Sequence, residues 1–253
     1  MHGVYPGLSL RRLRLGVLTP GHEMHRIYRS FRHKDAVFRI CCDRFEVVAE
    51  EIVRQRGILE HYLRSHPGFG SSLTPVDALA GAPEVARRMA RAGGKAGVGP
   101  MAAVAGAMAQ LAAEAGLAAG AREAVVENGG DVYMVVSGTK AVVGLYAGAN
   151  RIGGSLGLSV KPEETPLAVC SSSGRMGRSY SMGDCDLATV TASDAALADA
   201  AATRAANVVR GVDDIDRAVN VIMAIEDVRG VLIVKHDRVG MGGKLPELIR
   251  HRS

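Results

Sequence analysis

The chain has 253 residues, 47% hydrophobic and 23% charged, the composition of a globular protein with enough length for one large core. Only 4% of residues are aromatic and there is no Trp. The core must therefore be aliphatic, and a stacking platform for single-stranded nucleic acid is excluded. The net charge of +5 is concentrated at the front: residues 1–95 hold 16 Lys/Arg against 9 Asp/Glu, and the remainder 15 against 17.

Residues 25–42 read as two strands around a turn near His33–Asp35. A long amphipathic helix follows, since Phe45, Val48, Ile52, Leu59 and Leu63 recur at helical spacing between Arg and Glu. The Pro, Gly and Ser of 66–75 predict a loop. Helices are expected over 83–92 and 100–119, separated by a Gly-rich linker at 92–99, with Pro100 suited to a first helical turn. Short strands follow at 123–127, 131–137, 140–147, 152–159 and 187–192. An Ala-rich helix is expected over 194–210 with Ser193 as its N-cap, then a helix over 213–224. A strand pair at 230–235 and 237–241 closes the chain. With no repeat or linker, residues 1–253 read as a single α+β (mixed α/β) domain, a mainly antiparallel sheet flanked by helices.

Four cysteines occur without a Cys-x-x-Cys pair, which fits free thiols in a reducing compartment. The N-terminus lacks the apolar core of a secretory signal. The run Met101–Gly120 is interrupted by Gln110 and Glu114 and is too weakly apolar for a membrane span. A cytoplasmic protein with neither a membrane nor a nucleic-acid partner is expected. No Gly-x-Ser-x-Gly elbow or dinucleotide glycine fingerprint is present.

Three segments carry polar chemistry. Glu127-Asn128-Gly129-Gly130-Asp131 is a hairpin turn by its Asn-Gly, yet it is flanked by two carboxylates that a turn does not require. Ser171 to Ser179 offers hydroxyls, flexible amides and two cations, Arg175 and Arg178, the makings of an anion-binding loop. On the Ala-rich helix Asp199, Thr203 and Asn207 fall at i, i+4 and i+8 along one face. Asp199 and Thr203 are hard oxygen donors suited to magnesium. A mobile loop and a solvent-facing polar stripe explain the last two segments equally well.

The segments VVENGGD (125–131), CSSSGRMGRSYSMGDCD (170–186) and ADAAATRAAN (198–207) together resemble the ApbE-like superfamily of FAD:protein FMN transferases. The likeness is greatest to a poorly characterised branch of it. The resemblance implies an ApbE-like fold, Mg2+ held by Asp199 and Thr203, and FAD or FMN bordered by Gly129, Gly130, Asp131, Ser172, Ser173, Gly174 and Arg178. It implies a magnesium-dependent flavin-nucleotide enzyme whose partners are a nucleotide or other phosphorylated ligand and an acceptor flavoprotein. The alternative is a non-catalytic carrier of flavin or another small anion. Separately, the Ala- and Gly-rich helix 100–119 can pack closely, which fits self-association into a homo-oligomer or buried packing within one chain. Where the transferases carry a His and an Asp-Pro segment, this chain has Gly177-Arg178-Ser179-Tyr180-Ser181-Met182-Gly183. No catalytic residue is assigned.

Overall fold

The structure, a computed structural model, describes residues 26–147, 156–174 and 183–250. Strands β1 (Arg29–His33) and β2 (Ala36–Cys42) form the first hairpin, with Lys34 at its turn. Helix α1 (Phe45–Ser65) follows and buries Phe45, Val48, Ile52 and Leu59, the stripe that its spacing predicts. The segment expected to be a loop at 66–75 instead begins with a short helix, α2 (Pro67–Ser71), because Pro67 at the first helical position needs no amide partner.

Helix α3 (Glu84–Ala96) runs through most of the expected Gly-rich linker. Burial of Met89, Ala90, Ala92, Gly93 and Ala96 outweighs the low helix propensity of glycine, and the helix stops at Gly97 in the left-handed conformation. A 3-10 turn, Pro100–Ala103, leads into α4 (Val104–Ala118). The stretch Pro100–Ala118 is long and apolar enough to cross a membrane by composition alone, but it packs against α1, β3 (Ala124–Asn128) and β4 (Asp131–Val135).

The remaining strands are β5 (Ala141–Leu145), β6 (Leu156–Val160), β7 (Leu167–Ser172) and β8 (Leu187–Ala192). After them come α5 (Ala195–Val208), α6 (Ile215–Met223), β9 (Val228–Lys235), β10 (Arg238–Gly243) and β11 (Glu247–Arg250). Strand β7 replaces the front of the expected Ser-rich loop; of the strand expected at 152–159, residues 156–159 lie in β6 and 152–155 lie outside the described residues. The α5 N-cap is Asp194 rather than Ser193: its carboxylate accepts from the Leu197 amide at 3.1 Å.

All strand pairs recorded are antiparallel. The large sheet has the order β1-β2-β3-β4-β7-β8-β9-β10, and a small sheet has the order β11-β6-β5. One face of the large sheet meets the small sheet through Val125, Val132, Met134, Val169, Leu158 and Val160. The other face carries the helices through Val126, Tyr133, Ala168, Cys170 and the alanines of α4 and α5. The expected antiparallel sheet flanked by helices is observed, and the alanine content lets α4, α5 and the sheet approach closely.

Candidate functional site

Strand alternation decides which polar side chains enter the helix layer. Val132 and Met134 face the small sheet, so Asp131 and Tyr133 face the helices. On β7, Leu167 and Val169 face the small sheet, so Ala168, Cys170 and Ser172 face α5. Asp131 sits at the base of a two-residue hairpin turn in which Gly129 (φ 66°) and Gly130 (φ 107°) both occupy the left-handed half of backbone space. Both central residues are glycine, which adopts positive φ without strain, and Asn128 is the strand residue paired with Asp131. Asn128 ties the turn to the start of α4, its side-chain amide donating to the Ala105 carbonyl at 3.4 Å.

Opposite this hairpin, α5 presents Asp199 and, one turn on, Thr203, exposed by only 8% and 7%. Asp199 Oδ2 accepts from the Gly106 amide at 2.9 Å. Gly106 lies in the first turn of α4, where unpaired amides and the helix dipole favour a carboxylate. The contact requires glycine: a Cβ at 106 would lie 2.1 Å from the Ala195 carbonyl oxygen and 3.0 Å from Asp199 Cβ.

The site is acidic and buried. Asp131 is 6% exposed, and burial pushes its carboxyl up to about 7; the charge of Glu127 adds to the rise. The Ser171 amide, at 3.3 Å, and the Cys170 thiol oppose it by hydrogen bonding. Burial, then the charge of Asp131, holds Asp199 well above the usual carboxylate range, against the amides of Gly106 and Ala105. Burial and the two carboxylates together push up the Cys170 thiol, whose sulfur also lies 3.5 Å from the Ala195 carbonyl. Among the described residues, no cation figures in the electrostatics of either carboxylate. Ser172 Oγ is buried without a hydrogen-bond partner.

Asp131, Cys170 and Asp199 thus meet between the large sheet and the starts of α4 and α5; Ser172 lies on the same face of β7 as Cys170, and Thr203 one turn beyond Asp199 on α5. Ser173 and Gly174 prolong β7 beside them, the Ser173 hydroxyl and Gly174 amide both donating to the Cys185 carbonyl. Arg178 lies outside the described residues. A shallow groove of about 600 Å3 along α1, lined by Val53, Gly57, His61 and Tyr62, contains none of these side chains. Two contributors escaped sequence reading, Cys170 as partner of Asp131 and Gly106 as partner of Asp199. Only the strand register and the helix contact reveal them.

The donor set fits a magnesium ion bound jointly with a ligand. Asp199 offers a carboxylate anchored by the Gly106 and Ala105 amides, and Thr203 supplies a hydroxyl one turn on; waters and ligand oxygens would complete an octahedron. Among the described residues there is no group of three or more His, Cys, Asp or Glu arranged to hold a metal, so an all-protein cage is not available there.

A family model described as AbpE bacteria matches residues 30–229. A UPF0280 protein of Methanocella arvoryzae is 42% identical, covering 87% of this chain and 93% of its own length. UPF0280 protein MJ1526 of Methanocaldococcus jannaschii is 40% identical, covering 81% and 85%. The apo form of the Pseudomonas stutzeri flavinyl transferase ApbE superposes with a TM-score of 0.56, covering 86% of this chain and 94% of that one at 10% identity, a likeness of fold. Matched over most of its length by the family model and by these relatives, the chain belongs to the AbpE bacteria family, is homologous to the UPF0280 proteins and has the ApbE fold.

Proposed function

We propose that the protein is a magnesium-dependent enzyme acting on a flavin nucleotide, FAD or FMN, in the manner of the FMN transferases. One observation carries the reading: two buried carboxylates, Asp131 and Asp199, face each other's charge with no described cation to offset them, beside the unpartnered hydroxyl of Ser172. A buried acidic pair without a counter-ion is costly. A divalent cation carrying a phosphorylated ligand removes that cost and gives the orphaned hydroxyl a partner.

In this reading Asp199 and Thr203 hold the ion, and α4 orients Asp199 through the Gly106 amide. Ser172, Ser173 and Gly174 on one side and the Gly129–Gly130 turn on the other border the nucleotide, with Arg178 as a cation toward its phosphates. The ion's contribution when bound is neutralisation of pyrophosphate charge. Burial of Asp131 and Asp199 lowers the local dielectric, which strengthens charge interactions in the site. With FAD, a Ser or Thr hydroxyl of an acceptor flavoprotein would attack the phosphorus of the FMN half; a P–O bond forms to the acceptor, the pyrophosphate P–O bond to AMP breaks, AMP leaves, and the hydroxyl proton passes to solvent.

The test is a titration of purified protein with FAD, with and without magnesium, followed by flavin fluorescence and AMP release. Magnesium-dependent binding with AMP release is expected. Asp199→Ala should weaken the magnesium-dependent component by about 100-fold. Asp199→Asn, which keeps an acceptor for Gly106, should separate ion binding from the anchoring of α4. Stoichiometric binding without AMP release, acceptor included, would make the protein a flavin carrier. Absence of binding in both conditions would overturn the flavin reading.

A further inference from the structure

A second buried charge lies at the C-terminal end of α5, outside the site just described. Lys235, the last residue of β9, is 1% exposed. Its ammonium donates to the Asp184 carbonyl, lies 2.8 Å from Asp184 Oδ2 and 3.9 Å from Asp186 Oδ1. Asp186 Oδ2 in turn accepts from the His236 amide at 2.6 Å. The segment 184–186 is fixed by main-chain bonds as well: the Asp184 amide donates to the Val209 carbonyl at 2.9 Å and the Asp186 amide to Val234 at 3.2 Å.

The residue at the centre of that segment is Cys185, whose carbonyl accepts from both the Ser173 hydroxyl, at 3.3 Å, and the Gly174 amide, at 2.9 Å. The approach is tight on both sides. A Cβ on Gly174 would lie 2.2 Å from the Gly183 carbonyl oxygen, and one on Gly183 would lie 1.9 Å from that of Ala206. The strand that carries Ser173 and Gly174 therefore has little freedom to shift independently of 183–186, and 183–186 is held from below by Lys235.

We propose that Lys235 is a positioning residue for the ligand-bordering segment Ser173–Gly174, acting through Asp184 and the Cys185 carbonyl. The proposal rests on the reading that Ser173 and Gly174 border the ligand. An apolar side chain would fill the same volume, and buried ion pairs are often replaceable by apolar groups without loss of stability. What the ammonium adds is direction. It bonds a main-chain carbonyl and a carboxylate of one residue, and so fixes the height of the strand against which Ser173 and Gly174 register.

The test compares Lys235→Met and Asp184→Asn with the unmodified chain; the second, milder change keeps the question answerable where the first does not fold. Hydrogen exchange is followed at the Gly174 amide and at the Met134 amide in the centre of β4, and the FAD Kd is measured alongside AMP release at saturation. Gly174 should exchange at least tenfold faster while Met134 is unchanged, with a Kd at least fivefold weaker and the saturated rate retained. Equal acceleration at both amides, or no change at Gly174 in either variant, would overturn the proposal. Where the unmodified chain binds no FAD, the functional reading falls, and the Gly174-to-Met134 contrast alone decides the role of Lys235.

Discussion

Two buried ionic clusters lie along α5, and they are built on opposite principles. Near its C-terminus, Lys235 meets Asp184 and Asp186, so the two carboxylates share a cation and the ammonium has oxygen acceptors. Near its N-terminus, Asp131, Cys170 and Asp199 gather three acidic groups with no described cation to balance them, and amides alone relieve Asp199. Ion pairing with directed hydrogen bonds accounts for the first arrangement. It does not explain the second, which raises the proton affinity of every member. The cluster without a described cation is the ligand site proposed above, and the ion-paired one lies behind the strand end proposed to border it.

The sharpest way to break this comparison is to remove one acid. Asp131 titrates near 7 in the folded chain, mainly because of burial, against about 3.9 in an unfolded one. Between these values the folded chain binds a proton that the unfolded chain has released. Stability therefore falls as pH rises through that window and levels off above it. Asp131→Asn should match the unmodified protein near pH 4 and exceed its stability at pH 8 by on the order of 2–4 kcal/mol, given that each pKa unit is worth about 1.4 kcal/mol. It should also lower the proton affinity of Asp199, since the charge of Asp131 raises it. Urea unfolding from pH 4 to pH 8, without divalent cations, checks this. Parallel curves for the two proteins would mean that Asp131 is not an uncompensated acid.

A smaller effect is expected from the glycine that admits Asp199 to the start of α4. Gly106→Ala places a methyl group against the Ala195 carbonyl. Overpacking of this kind costs about 1–3 kcal/mol, offset by up to about 1 kcal/mol from better helix propensity. A net loss of about 1–2 kcal/mol in urea unfolding should accompany weaker magnesium binding, because α4 must retreat from α5 and take its amide with it. Loss of stability with ion binding intact would detach the Gly106 contact from the site.

Much of this was legible in the residues. Helical periodicity located α1, alanine content located α5, and the i, i+4 spacing put Asp199 and Thr203 on one face. Asn128-Gly129-Gly130 predicted the hairpin that carries Asp131. What stayed hidden depends on tertiary contact. Leu167–Ser172 lacks polar alternation because five of its six residues are buried, so its serines read as loop rather than as a central strand. The Gly93–Gly94 pair is helical because the surrounding face is buried, an effect of packing that propensity does not contain. Cys170 and Asp131 lie far apart in sequence, and only the antiparallel register of β4 with β7 joins them. Lys235 reads as an ordinary end-of-strand lysine until β8 and β9 are paired.

The smallest predicted change distinguishes the two clusters most cleanly. In a region built for stability, removing a buried hydroxyl deprives its partner and costs about 1–3 kcal/mol. Ser172 Oγ has no partner to deprive. Ser172→Ala should therefore leave the unliganded protein within about 0.5 kcal/mol of its original stability, or slightly more stable, because an unpaired buried hydroxyl is itself unfavourable. Flavin-nucleotide affinity should nevertheless fall by about tenfold, the worth of one hydrogen bond at roughly 1.4 kcal/mol. Thermal unfolding with and without FAD and magnesium reads both quantities on one sample. A variant that loses stability without ligand would show that Ser172 supports the fold, and the hydroxyl would then belong with Lys235 rather than with Asp131 and Asp199.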